Sequence, residues 1–334
     1  MSERIQDQLE FPSADALLSA GMDVVIQFSK PIYSPEVLER VNKLAEIHGA
    51  KLQIRFYGHY NSYFDLSYLD YIPSVKNLAV DCLLEARNFE ALDRLEALER
   101  LSIGVYNGIP DNLLSFRALG SLQCLTLAEN KRNRLDLAHL SKIQSLRQLH
   151  VTGFTTSIEA IGELTSLQRL GLSQIGSKQS LSFVSQLAAL RSLSVLLGGR
   201  ENLDKIESKS VQDLDVVRVR GISRLNIDNF VSLRNLRIDD QIRLTALSFS
   251  GTTQDLRRIF IGNCKSLSSL DGLALLPRLD HLNIWQTALD SDEIISAGLP
   301  KSLRSFAFYG KPRSKDKLIR NKLDVLGYAE ESTS

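Results

Sequence analysis

Apolar residues fall along this chain in a phrase of fixed length, leucine-x-x-leucine-x-leucine, that returns from near residue 50 to near residue 310. It reads Leu98-Leu101-Ile103, Leu122-Leu125-Leu127, Leu146-Leu149-Val151, Leu167-Leu170-Leu172 and Leu190-Leu193-Val195. It continues as Val211-Leu214-Val216, Leu233-Leu236-Ile238, Leu256-Ile259-Ile261, Leu279-Leu282-Ile284 and Leu303-Phe306-Phe308. Upstream, Val75-Leu78-Val80 fits, and Lys51-Ile54-Phe56 fits with a polar first position. The interval is about 23 residues, inside the window of a short solenoid repeat. The closing leucine-x-leucine has period two, so it predicts a short strand with alternate side chains turned inward. Between strands the apolar spacing is three, as in Leu137-Leu140-Ile143-Leu146 and Leu270-Leu273-Leu276-Leu279. That spacing suits a 3₁₀ turn or a very short helix. One such unit cannot bury its apolar face alone, but a stack of them can. The prediction is an α/β solenoid: about twelve short parallel strands on the concave face, and 3₁₀ or helical segments on the convex face.

These registered phrases resemble the leucine-rich repeat superfamily, most closely its short-repeat branch of bacterial internalins and phosphatase-regulating solenoids. The resemblance covers roughly residues 50–310 and implies a horseshoe fold used to bind other macromolecules. One family feature is thin here. The family usually carries asparagine three residues after the last strand leucine. Asn130 fills that place, Cys264 and Thr287 are plausible substitutes, and Leu83, Phe154, Ile175 and Val219 are apolar.

The ends read differently. Residues 1–50 form an expected N-terminal cap, with Asp23–Ser29 as a strand. Ser34-Pro35 then opens a helix whose apolar face is Val37, Leu38, Val41, Leu44, Ala45 and Ile47, and Gly49 stops it. Residues 51–310 are the solenoid. Residues 311–334 form a C-terminal cap and tail, with a helix expected around Asp316–Leu326. Lys311, Arg313, Lys315, Lys317, Arg320 and Lys322 make this end basic, and the simplest reading is a solvated cap.

Composition narrows the function classes. At 334 residues the net charge is +1, so no whole-molecule field favours nucleic acid or an anionic membrane. No apolar run approaches a membrane span, and the N-terminus lacks a basic start followed by an apolar core. Cys82, Cys124 and Cys264 are odd in number and far apart, which argues against a disulfide framework or a metal pair and for a reducing, cytoplasmic setting. No phosphate-binding loop, dinucleotide fingerprint, zinc-protease helix or serine-nucleophile elbow occurs, and the five histidines are scattered. A non-enzymatic chain without cofactor or metal, acting as a monomer on a protein partner, is the expectation. Antidote to a toxin and effector in a host cell are alternative roles.

The repeat register also tells which residues face outward. The middle of the concave face is bland, with Thr126, His150, Gly171 and Ser194. The C-terminal strands bring Phe260, Trp285 and Tyr309 together with Arg237, Arg258, His281 and Asp239, beside Asp213, Asp215 and Asp240. Exposed aromatics with arginine are the composition of interface hot spots. The competing reading is a self-satisfied surface with an Asp215–Arg237 ion pair across strands. A second candidate is the loop after the first repeat strand, where Tyr60 and Tyr63 stand among Ser, Asn and Gly. Tyr68 and Tyr71 are expected to cover the end of the core.

Overall fold

The structure, a computed structural model, describes residues 3–6, 11–31, 33–128, 135–310 and 316–330. The chain forms two compact units, Met1–Leu167 and Gln168–Ser334. Asn130, Lys311, Arg313 and Lys315 lie outside the described residues.

The first unit begins with strand β1 (Glu3–Gln6), helix α1 (Phe11–Ser19), strand β2 (Val24–Phe28) and helix α2 (Pro35–His48). Helix α2 starts as expected: Ser34 is the N-cap, its hydroxyl accepts from the Val37 amide, and Pro35 opens the first turn. Gly49, at φ 58°, ends it. Leu38, Val41, Leu44 and Ala45 are buried, but Ile47 is 72% exposed. The expected apolar face was drawn one residue too wide there.

The repeats follow as β3 (Leu52–Phe56), a short β4 (Phe64–Asp65), β5 (Asn77–Arg87), β6 (Arg100–Asn107), β7 (Cys124–Ala128) and β8 (Gln148–Thr152). The pairs β1–β2, β2–β3, β3–β5, β5–β6, β6–β7 and β7–β8 are all parallel. The second unit carries β9 (Arg169–Ser173), β10 (Ser192–Leu196), β11 (Asp213–Val217), β12 (Asn235–Asp239), β13 (Ala246–Ser248), β14 (Arg258–Gly262), β15 (Ser269–Asp271), β16 (His281–Trp285), α3 (Ser291–Ser296), β17 (Ser305–Tyr309) and α4 (Asp316–Val325). Here β9, β10, β11, β12, β14, β16 and β17 pair in that order, all parallel. The closing leucine-x-leucine of all twelve phrases therefore sits on a strand. Strands β4, β13 and β15, where chain outside the phrase pairs locally, were not anticipated.

In-register pairing builds two inward rows in each sheet. In the second unit one row is Leu170, Leu193, Leu214, Leu236, Ile259, Leu282 and Phe306, and the next is Leu172, Val195, Val216, Ile238, Ile261, Ile284 and Phe308. All are buried. The spacing-three segments are 3₁₀ turns, as at Leu66–Tyr71, Leu137–Lys142 and Ile158–Glu163.

A second regularity is invisible in the leucine pattern. The second residue after the last strand leucine is left-handed in many repeats: Gln174, Leu197, Arg218, Asp240, Asn263 and Gln286 have φ of 52–58°. Each donates its amide to the last carbonyl of the next strand, for example Leu197 to Val217 and Asn263 to Trp285 at 2.9 and 2.8 Å. This backbone bond carries the ladder past the strand end, where an asparagine ladder is sparse. It also offsets a conformation that costs a non-glycine residue roughly 1–2 kcal/mol. At the asparagine place itself, Gln241 is fully buried and its Nε2 donates to the Val216 and Asp239 carbonyls at 3.0 and 2.9 Å. Cys264 is buried, with its thiol 3.2 Å from the Gly262 carbonyl.

The described part of the basic C-terminal segment closes the second unit. Arg320 donates to the Phe306 carbonyl at 3.0 Å and pairs with Asp324 at 2.8 Å, while Lys322 meets Asp292 at 2.6 Å.

Candidate functional site

Outward residues on β11, β12, β14, β16 and β17 surround an open depression of about 450 Å³. Asp213, Asp215, Arg237, Arg258, Phe260 and His281 line it, with Asn235, Asn283, Ser305 and Ala307. The period-two pleat turns these side chains away from the core, and the register sets Arg237 beside Phe260 and Phe260 beside Asn283.

Phe260 leans along its own strand over Gly262. A methyl group added at Gly262 would lie 2.9 Å from the Phe260 ring and 3.0 Å from an Asp239 carboxylate oxygen, so the glycine makes room for both. The Arg237 guanidinium stands 5.3 Å from the Phe260 ring centre, within cation–π range. Arg237 pairs with Asp239 at 3.0 Å, along its own strand. The Asp215–Arg237 pair of the competing reading does not form: Asp215 accepts instead from the Ser194 hydroxyl at 3.1 Å. Asp239 also accepts from Asn263 at 3.1 Å, Asp213 accepts from Asn235 at 2.6 Å, and Asp240 accepts from Arg218 at 2.7 Å. His281 Nδ1 lies 2.5 Å from Asp280. Arg258 is exposed, and its side chain forms no ion pair or hydrogen bond among the described residues.

Trp285 and Tyr309 do not line the depression. They pair in register with each other, two residues further along their strands than Asn283 and Ala307. Trp285 is 38% exposed, while Tyr309 is half-buried and its hydroxyl bonds to Glu330. The structure thus gathers Arg237, Arg258, Phe260 and His281 around one hollow, sets Trp285 beside it, and ties Tyr309 to the C-terminal cap. Asn235 also lines the hollow and went unnoticed, because it precedes the second leucine of its phrase and is neither aromatic nor charged.

The tyrosine loop belongs to the first unit. Tyr60 is 69% exposed and Tyr63 is also exposed, with the Arg87 guanidinium over one face of its ring, 4.1 Å from the ring centre. Tyr68 packs edge-on against the buried Tyr33 at 5.0 Å, as a core cover should. Tyr71, expected to do the same, is exposed.

Among the described residues, no three His, Cys, Asp or Glu side chains converge as metal ligands. No described helix is long and apolar enough to cross a membrane.

Parallel strands in sequence order, joined by 3₁₀ returns at one repeat length, decide the fold. The fold is that of leucine-rich repeats. No family model matches the sequence. A leucine-rich repeat protein of Leptospira interrogans superposes with a TM-score of 0.50 at 16% identity, covering 93% of this chain and 90% of that one. An internalin of Listeria monocytogenes gives a TM-score of 0.49 at 15% identity, over 89% and 88% of the two chains. In sequence, the chain is 26% identical over 231 residues to a probable disease resistance protein of Arabidopsis thaliana. That match takes in 62% of this chain but spans only a quarter of the relative's length.

Proposed function

We propose that this leucine-rich repeat chain binds another protein through the open sheet face of its second unit, at Phe260, Trp285, Arg237, Arg258 and His281, and catalyses nothing. The single observation behind the proposal is an aromatic–arginine cluster on a strand-held surface. Phe260 is braced between Gly262 and Arg237, Arg258 projects unpaired, and the only tryptophan of the chain stands beside them in solvent. Tryptophan and arginine are the residues that most often carry interface energy. The backbone holding them is fixed on both sides by parallel pairing, so docking orders little that is not ordered already. Asp213 and Asp215, which line the hollow, favour a partner that presents cations opposite them and a carboxylate opposite Arg258. The proposal keeps the cytoplasmic setting expected from the cysteines, and antidote or effector roles are special cases of it.

The test is affinity capture from extract of the source cell with three forms of the whole chain. The parent and Thr126→Ala should retain the same partner, and Trp285→Ala with Arg258→Ala should lose it. Equal retention by all forms refutes the assignment to this face. Tyr60, exposed in the loop of the first unit, supports a second reading, and Tyr60→Ala in the same capture separates the two.

A further inference from the structure

We propose that the turns following β9 and β10 form an anion site, centred on Arg200, that takes a doubly charged oxyanion: phosphate or a small phosphate monoester. This site lies among loops and shares no lining residue with the sheet-face hollow.

Arg200 is 7% exposed. Its Nη2 donates to the carbonyls of Gly176 and Gln179, each at 3.1 Å. Its Nε, also buried, has no hydrogen-bond partner. No carboxylate pairs with it among the described residues, and burial alone pulls its pKa below the ordinary arginine value. Two carbonyl dipoles satisfy part of a guanidinium but do not cancel its charge, and a buried cation is ordinarily paired. An oxyanion is the missing counter-charge, and arginine is the side chain whose geometry best suits phosphate.

The surroundings fit that ligand. A cavity of about 250 Å³ is lined by Arg200, Lys178, Lys205, Ser177, Ser180 and Asn202, with Glu201 as its one carboxylate. Three cations against one anion leave two positive charges in excess. Neither lysine has an ion pair among the described residues, and both are exposed, so they are free to turn toward a ligand. Ser177, Ser180 and Asn202 offer neutral donors. The volume holds an ion together with several waters, at about 30 Å³ for each water.

The position of Arg200 is set in advance. A methyl group on Gly221 would lie 2.5 Å from the Arg200 carbonyl oxygen and 2.6 Å from that of Gly199, and one on Gly198 would lie 2.9 Å from the Ile175 carbonyl oxygen. Successive turns therefore touch backbone to backbone. Backbone hydrogen bonds from the Arg220 amide to the Gly198 carbonyl and from the Ser223 amide to the Glu201 carbonyl, both 3.1 Å, lock the stack. The guanidinium is thus held before any ligand arrives, which lowers the ordering cost of binding.

Calorimetric titration of the whole chain with inorganic phosphate, and separately with glycerol phosphate, tests this. One saturable site is expected, weakened by added sodium chloride. Saturation by both ligands, or by either one, identifies the source of the oxyanion. Lys178→Ala and Lys205→Ala, both on the surface, should each weaken binding roughly two- to fivefold. Arg200→Gln should weaken it roughly ten- to a hundredfold. If Arg200→Gln does not fold, the lysine double variant carries the test. The proposal is overturned if neither ligand binds, if acetate binds as tightly as phosphate, or if the lysine double variant binds like the parent.

Discussion

Replacing Leu236 by alanine probes the physics that holds the second unit together. Leu236 is 2% exposed and sits in register between Leu214 on β11 and Ile259 on β14. The substitution removes three carbons, worth about 2.4 kcal/mol at roughly 0.8 kcal/mol for each buried CH₂. Both flanking residues are fixed by backbone pairing, so the row collapses little and a cavity remains. That adds about 1 kcal/mol or more, for a total near 3–4 kcal/mol, inside the span of about 2–5 kcal/mol for buried leucines. Urea unfolding followed by fluorescence reads the second unit selectively, because Trp285 on β16 is the only tryptophan. With a slope of about 2 kcal/mol per molar urea, the midpoint should fall by about 1.5–2 M. Solenoids couple mainly between neighbours, so weakening one row can also uncouple its two sides. In that event far-UV circular dichroism and Trp285 fluorescence cease to coincide. The control is Leu275→Ala, at a residue 52% exposed, where the midpoint should barely move. An unchanged midpoint for Leu236→Ala, with both probes coincident, refutes the stacked-row account.

Other consequences are equally open to measurement. Gly221→Ala forces a methyl group against two backbone oxygens and should cost about 1–3 kcal/mol, while Gly199→Ala, which meets nothing within 4 Å, should not destabilise by that amount; paired thermal melts compare them. Brief alkylation followed by mass spectrometry should mark the exposed Cys82 and spare Cys264 until unfolding, because burial pushes the Cys264 thiol up to about 11. His150 is held below its usual 6.5 by desolvation, so the unfolded chain binds the extra proton and stability falls as pH drops through 6.5 toward the folded value. His150→Gln should lose less Tm than the parent between pH 7.5 and 5.5, and equal losses would remove that explanation.

The repeat frame was readable because an inward strand position must be apolar in every turn of a stack, so Leu170 through Phe306 announce themselves by spacing alone. The cap helix was readable for a similar reason, since Ser34, Pro35 and Gly49 each solve a backbone problem that few residues solve. Side-chain pairing on the open face was not readable. Arg237 can reach either Asp215 on the next strand or Asp239 on its own, and rotamer packing against Phe260 accompanies the choice of Asp239. Gln241 departs from the asparagine of the family pattern, although with one more methylene its side chain still reaches the Val216 carbonyl. The left-handed residues Leu197 and Arg218 carry no composition signal, because the bond that supports them is made by backbone. Arg200 belongs to no spacing motif, and its burial comes from the close approach of glycine turns contributed by neighbouring repeats.

The proposed docking of a protein on the face bearing Trp285 can be read out at that residue directly. Growing the protein with 5-fluorotryptophan puts one fluorine label in the chain, at that residue and nowhere else. Titration with the captured partner should shift or broaden the single fluorine resonance in proportion to occupancy, and Trp285→Ala should weaken binding by about 2–4 kcal/mol, the range of hot-spot residues. A resonance that stays unchanged in position and width while binding saturates would place the partner elsewhere and contradict the account.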